Sequence, residues 1–205
     1  MFAQGIAVIL TLLLMAVTIV KLRGFQFTTN RVARIGIVTG LTLVLYMIKL
    51  VPFPQGGGCS LLSILPMMIL AVTFGMEEAL VCGIVVGLSK IVIAPPMFPM
   101  QIPLDYLGGM MAISLTGLFG AQTKGRIFSG ALLAIVLSTF FSILSGKIFF
   151  GQFAPEGMNQ WLYSTIYNVT GYGVEATLSL IILMVLPLKH FQAKEGGQWA
   201  SLKNS

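Results

Sequence analysis

In Gln101-Ile102-Pro103-Leu104-Asp105-Tyr106, a carboxylate and a phenol stand side by side at the mouth of an otherwise apolar run. A charge at the edge of hydrocarbon costs kilocalories unless it is solvated or paired, so this place suits the docking of a small cation. The same pair also serves as an interfacial anchor, since Asp caps helix starts and Tyr settles at membrane boundaries. Spacing leaves both readings open. Further along, Trp161-Leu162-Tyr163-Ser164-Thr165-Ile166-Tyr167-Asn168 places Tyr163, Tyr167 and Asn168 roughly on one side of a helix. Trp161 and Tyr163 equally suit an aromatic belt. Asn168 falls more than a turn inside the run, where an amide needs partners and faces protein or a cavity.

Ser138, Ser142, Ser145 and Gly146 recur at intervals of three and four or stand adjacent, forming a stripe of small residues before Phe149 and Phe150. Such a stripe serves close helix packing or leaves room for a ligand. A carboxylate, several ring faces and an amide match a flat, cationic, aromatic heterocycle. Each cation–π contact is worth about 0.5–2 kcal/mol when dry.

Other reactive side chains point elsewhere. Glu175 lies deep in the last apolar run, as a proton relay or, preferably, a buried hydrogen-bonding group. Glu77-Glu78 reads as a solvated turn capping the next helix. Cys59 and Cys82 lack metal-ligand spacing and fall at different depths, so neither a metal nor a disulfide is expected. His190, beside Lys189, reads as solvated or headgroup-facing. Pro52-Phe53-Pro54-Gln55-Gly56-Gly57-Gly58 is a tight turn or a lid over a cavity, and it lacks the Lys-Ser/Thr ending of a phosphate loop. No Ser-His, paired-Asp or His-rich pattern occurs, so no catalytic residue and no cofactor is expected. An intramembrane enzyme using Asp105 or Glu175 and a channel or structural protein are the alternatives from other classes.

The elements that position these residues follow from composition. With 57% hydrophobic and 9% charged residues over 205 positions and a mean hydropathy of +0.95, the chain has too little polar surface to cover a soluble globule. It is expected to be an all-α integral membrane protein. A bilayer takes about 20 helical residues to cross, and apolar runs fall at 3–20, 33–51, 61–74, 79–94, 104–121, 127–148 and 162–186. The third and fourth are short for crossing helices. The first has the length of a signal peptide, but Lys21 and Arg23 follow it and no basic residue precedes it, which favours a retained anchor.

Placing the segment from Lys21 to Arg34 in the cytoplasm puts nine of the twelve basic residues on that side. Lys49, Lys90 and Lys147 then fall near outer helix ends. The N-terminus is expected outside and the C-terminus inside, with outer connections at 52–60, 95–103 and 149–161. Topology and anionic lipid account for the net charge of +6 without nucleic acid.

On these residues the chain resembles the thiamine-specific substrate-binding (S) component of energy-coupling-factor (ECF) vitamin transporters, the ThiT-like family. The resemblance rests on Pro54-Gln55-Gly56-Gly57, Gln101-x-x-Leu104-Asp105-Tyr106, Leu115-x-Gly117-Leu118-Phe119, Ser145-Gly146-x-x-Phe149-Phe150, Ala154-Pro155-x-Gly157 and Tyr163-Ser164-x-x-Tyr167-Asn168. It implies a six-helix core at 31–191, preceded here by an additional N-terminal transmembrane helix at 1–24 and followed by a cytoplasmic tail at 192–205. It also implies a vitamin bound near the outer face beneath the first outer loop. Asp105 and Tyr106 look like the pair for the thiazolium end, Tyr163 and Asn168 like the family's Tyr and Asn ligands, and Gly146 like its close-approach glycine. Ser142 and Phe150 stand where the family commonly has His and Trp, which keeps a related pyrimidine or another vitamin open beside thiamine. By resemblance the S component does not hydrolyse ATP. It docks through its first core helix onto a membrane scaffold subunit driven by two cytoplasmic ATPases. Ala33, Gly36 and Gly40 offer the small-residue spacing for that face, and Gly36-x-x-x-Gly40 equally suits ordinary helix packing.

Overall fold

The computed structural model describes residues 9, 13, 16–20 and 22–187. The expected first span at 3–20 lies outside the described residues except at those few positions, as do Lys189, His190 and the tail at 192–205. Helix α1 (Thr29–Met47) starts where Thr28 Oγ1 accepts from the Arg31 amide at 3.5 Å. It stops short of the expected 51, because Pro52 and Pro54 cannot continue a helix and the β-branched Ile48 and Val51 suit extended backbone. The chain instead forms a hairpin, with β1 (Lys49–Pro52) antiparallel to β2 (Gly58–Ser60) and Val51 opposite Cys59. Gln55 and Gly56 turn the tip with φ of 60° and 82°.

A short α2 (Leu65–Thr73) follows, opened by Pro66. Its start is later than the expected 61 because residues before it turn to meet Glu175, as described below. Gly75, at φ 105°, reverses the chain into α3 (Met76–Ile93). The expected span at 104–121 is irregular: a π-helical turn, Ile102–Gly108, leads into α4 (Gly109–Ala112) and a 3₁₀ segment, Ile113–Gly117. Helix α5 (Lys124–Phe149) is capped by Thr123. Helix α6 (Gln160–Asn168) is capped by Asn159 and continues through a second π-helical turn, Val169–Gly173, into α7 (Val174–Val185). Among the described residues, α5 and the stretch Gln160–Val185 are long and apolar enough to cross a membrane.

Polarity is distributed inside out. Val32, Ile37, Leu41 and Val44 of α1, Leu132 and Val136 of α5, and Ile181 and Val185 of α7 are exposed, while Thr39, Ser138, Ser145, Ser164 and Ser179 are buried. That suits hydrocarbon outside and hydrogen-bonded helix contacts within. The apolar core sits where α2, α3 and the α4 segment meet, around Ile64, Met67, Met68, Cys82, Val86 and Ile113. Gly83 and Gly87 let α3 lie against the backbone of Met110 and Tyr106, where a Cβ would collide.

The acidic pair Glu77-Glu78 divides. Glu77 is exposed, but Glu78 is only 3% exposed and is no solvated turn. It accepts from Arg34 Nε at 3.0 Å and Nη2 at 2.7 Å, and Arg31 Nε lies at 3.3 Å. A buried carboxylate needs such partners, and these come from α1, 44 residues upstream. Cys59 and Cys82 are separate free thiols, and the Cys82 sulfur lies 3.4 Å from Thr39 Oγ1.

Candidate functional site

The hairpin, α3, the π-helical turn before α4, α5 and the α6–α7 rod enclose a cavity of about 180 Å³. Asp105, Tyr106, Ser142, Gly146, Phe150, Tyr163 and Asn168 all line it. Three elements distant in sequence, the π-helical turn, α5 with its C-cap Phe150, and α6, thus bring the expected residues to one place.

Asp105 is held by Ser145 Oγ at 2.5 Å and Gln101 Nε2 at 3.4 Å, both donating to Oδ2. Oδ1 accepts no hydrogen bond among the described residues. Gln101 is itself fixed, its Oε1 accepting from the Phe98 amide at 2.8 Å. The Tyr106 hydroxyl donates to the Ala94 carbonyl at 2.5 Å, which ties its ring to the connection after α3. Asn168 donates to the carbonyls of Ser142 at 3.2 Å and Ser164 at 2.9 Å. Its amide nitrogen is therefore committed to the α5–α6 seam, leaving its carbonyl oxygen for other partners. Gly146 is required at that seam: a Cβ there would run into Ser164 Oγ and Asn168 Nδ2. The close approach that the sequence suggested for a ligand is, in the fold, an approach of two helices.

The ring wall is built from Phe150 and its neighbours. Phe98 lies 5.7 Å edge-on to Phe150 and 5.8 Å stacked on Phe149, and Tyr163 lies 6.0 Å from Tyr167. Trp161 is 41% exposed with Lys147 Nζ 5.9 Å from its ring, which fits the aromatic belt. The stripe on α5 divides its work. Ser138 bonds the Gly109 carbonyl at 2.8 Å and the Tyr172 hydroxyl at 2.7 Å, Ser145 holds Asp105, and Ser142 faces the cavity.

Tyr46 and Tyr172 join the wall without having been picked out from sequence, and Lys49 and Lys90, expected only as helix-end cations, line it too; Gln55, Tyr167 and Glu175 connect it to the hairpin. Glu175 is a buried hydrogen-bonding group: it accepts from Ser60 N at 2.9 Å, Ser63 N at 2.7 Å and Ser63 Oγ at 2.5 Å. Tyr167 accepts from Gly57 N at 3.2 Å and donates to the Pro54 carbonyl. The last rod therefore holds the hairpin at its base and at its tip. Lys49 Nζ donates to Ser60 Oγ at 2.9 Å and lies 3.9 Å from the centre of the Tyr46 ring, with Lys90 Nζ 4.2 Å from the same ring. Burial lowers the Lys49 pKa from its ordinary value; the Lys90 charge acts the same way, against Tyr46 and Glu175. Both lysines have the sequence position of ordinary helix-end cations, so only the fold reveals that they converge.

Comparison with known proteins follows the same outline. Thiamine transporter ThiT of Bacillus subtilis (strain 168) is 29% identical over 172 residues, covering 76% of this chain and 89% of that protein. Thiamine transporter ThiT of Lacticaseibacillus paracasei is 24% identical over 162 residues, covering 68% and 79%. The solved structure of ThiT from Listeria monocytogenes shares the fold with a TM-score of 0.65 at 21% identity, covering 79% of this chain and 96% of that one. The family model described as Thiamine transporter protein (Thia_YuaJ) matches residues 32–195, and with that span matched the chain belongs to the thiamine transporter family.

Proposed function

We propose that this membrane protein of thiamine uptake, which is not an enzyme, is the substrate-capturing S component of an ECF-type importer. It binds thiamine, or a closely related cationic heterocycle, in the cavity beneath the hairpin, which faces the outside. Asp105 supplies the negative charge; Tyr106, Phe150 and Tyr163 supply ring faces; Asn168 and Ser142 supply hydrogen bonds; and Gly146 keeps the α5–α6 seam closed. The single observation that carries this reading is the convergence of Asp105, from the π-helical turn, with Tyr163 and Asn168, from α6, on one cavity.

Energy comes from elsewhere, since the chain has no nucleotide-binding loop. The reading adds a membrane scaffold subunit and two cytoplasmic ATPases, with α1 as the docking helix. Ala33, Gly36 and Gly40 are exposed on α1, and a side chain added at Gly36 or Gly40 would meet nothing within 4 Å. The buried side of α1 is Ile35, Thr39 and Thr42, so packing among the described residues does not account for the small residues. The positive charges favour an outer N-terminus, an inner C-terminus and an additional anchor at 1–24 before a six-helix core at 31–191, with a cytoplasmic tail at 192–205.

Calorimetry on the full chain in detergent tests the reading. Saturable thiamine binding in the absence of nucleotide is expected. Heat only from another vitamin, such as riboflavin or biotin, would reassign the ligand, and ion flux through liposomes without saturable binding would replace the reading with a channel.

A further inference from the structure

The cavity holds two lysines that a purely cationic ligand does not explain. Lys49 arrives from the hairpin and Lys90 from the end of α3, and their ammonium groups lie 3.9 Å and 4.2 Å from the centre of one ring, that of Tyr46. They are therefore no further apart than those two distances combined. Lys90 also lies 5.7 Å from the Tyr106 ring. Two like charges held this close in a partly dry cavity repel, and ring faces offset only part of that cost.

Neither lysine is neutralised by an ion pair. Among the described residues the ion pairs within 4 Å are those of Arg31 and Arg34 with Glu78 at the other end of α1. Of the two carboxylates that line the cavity, Glu175 is engaged by Ser60 and Ser63, and Asp105 is held through Oδ2 by Ser145 and Gln101 with Oδ1 left to meet a cationic ring. An ammonium carries three donors. Lys49 uses one on Ser60 Oγ, and Lys90 has no hydrogen-bond acceptor among the described residues. The cavity thus keeps unused ammonium donors beside the free acceptor of Asp105, and those donors call for an anion.

We propose that Lys49 and Lys90 form an anion subsite beside Asp105, so that the preferred ligand joins a cationic ring to a phosphate ester. A phosphate monoester carries nearly two negative charges at neutral pH and three strong acceptors, which matches two ammonium groups; a carboxylate matches one. The proposal rests on the cavity being the thiamine site. It adds the charge pattern of the molecule that fills it.

Calorimetry with thiamine and thiamine monophosphate, in chloride buffer free of phosphate and sulfate, tests the proposal on the full chain. The ester is expected to bind at least about tenfold tighter, which is ~1.4 kcal/mol, with an affinity that falls more steeply with salt than that of thiamine. The ratio of the two affinities should collapse in Lys49→Met, in Lys90→Met and in the double variant. If millimolar inorganic phosphate tightens thiamine binding in the wild type but not in Lys90→Met, the subsite stands with a free anion as its occupant. Thiamine bound as tightly as its ester by the wild type, with no effect of free phosphate, overturns the subsite alone and needs no folded variant to show it. An ester preference that survives in a folded double variant also overturns it. If neither compound binds, it is the thiamine reading of the cavity that fails.

Discussion

The phenol of Tyr167 holds both sides of the hairpin turn to the last rod: it accepts from Gly57 N and donates to the Pro54 carbonyl, while its ring meets Phe53 edge-on at 5.2 Å. Tyr167→Phe removes the hydroxyl and keeps the ring. A hydrogen bond of this kind is worth about 0.5–1.5 kcal/mol. Thiamine dissociation, followed by stopped-flow fluorescence, is expected to quicken by about 2–10-fold; an unchanged rate would show that the hairpin does not limit escape.

At the base of the hairpin, the Glu175 carboxylate replaces water for the amides of Ser60 and Ser63. Glu175→Leu strands both buried donors at about 1–3 kcal/mol each, and the unfolding temperature in detergent should fall well below that of Glu175→Gln, which keeps one acceptor. Equal melting of the two variants would remove Glu175 as the anchor.

Asp105→Asn removes the charge offered to a cationic ring and keeps the shape. Binding of thiamine is expected to weaken at least about tenfold, or ~1.4 kcal/mol, by calorimetry. Wild-type affinity in this variant would take Asp105 out of the site.

Gly146→Ala forces α5 away from Ser164 and Asn168. Overpacking costs about 1–3 kcal/mol, so both the melting temperature and thiamine affinity should drop. A variant that melts and binds as the wild type does would show that the seam has slack.

Gly36→Leu and Gly40→Leu change only the exposed face of α1. Thiamine uptake by cells should fall to background while calorimetric binding by the purified chain persists. Uptake at the wild-type level would mean that α1 is not the docking surface.

Much of this fold was legible in the apolar runs, and each expected span from 33 onward coincides with a helical element. What sequence could not give were the contacts set by long-range partners. Residues Leu50 and Val51 look like the end of a helix, and only the prolines that follow mark an extended strand. Glu78 looks solvated unless Arg34 is known to reach it. The seven expected site residues could be named because their types suit a cationic heterocycle and their motifs matched a family. Lys49 and Lys90 were passed over because a lysine near a helix end is ordinary, and nothing in their spacing says that they share Tyr46. A signal was present in Tyr46 and Lys49, which lie three apart near the end of one apolar run.

A single residue, Ile48, separates α1 from β1, and the hairpin that β1 opens is fastened by Tyr167 and Glu175 of the last rod. The cover of the cavity thus has its hinge on one helix and its latch on another. Entry and exit of a ligand become a question of how far those two helices part, and whatever grips the outer face of α1 holds one side of that door.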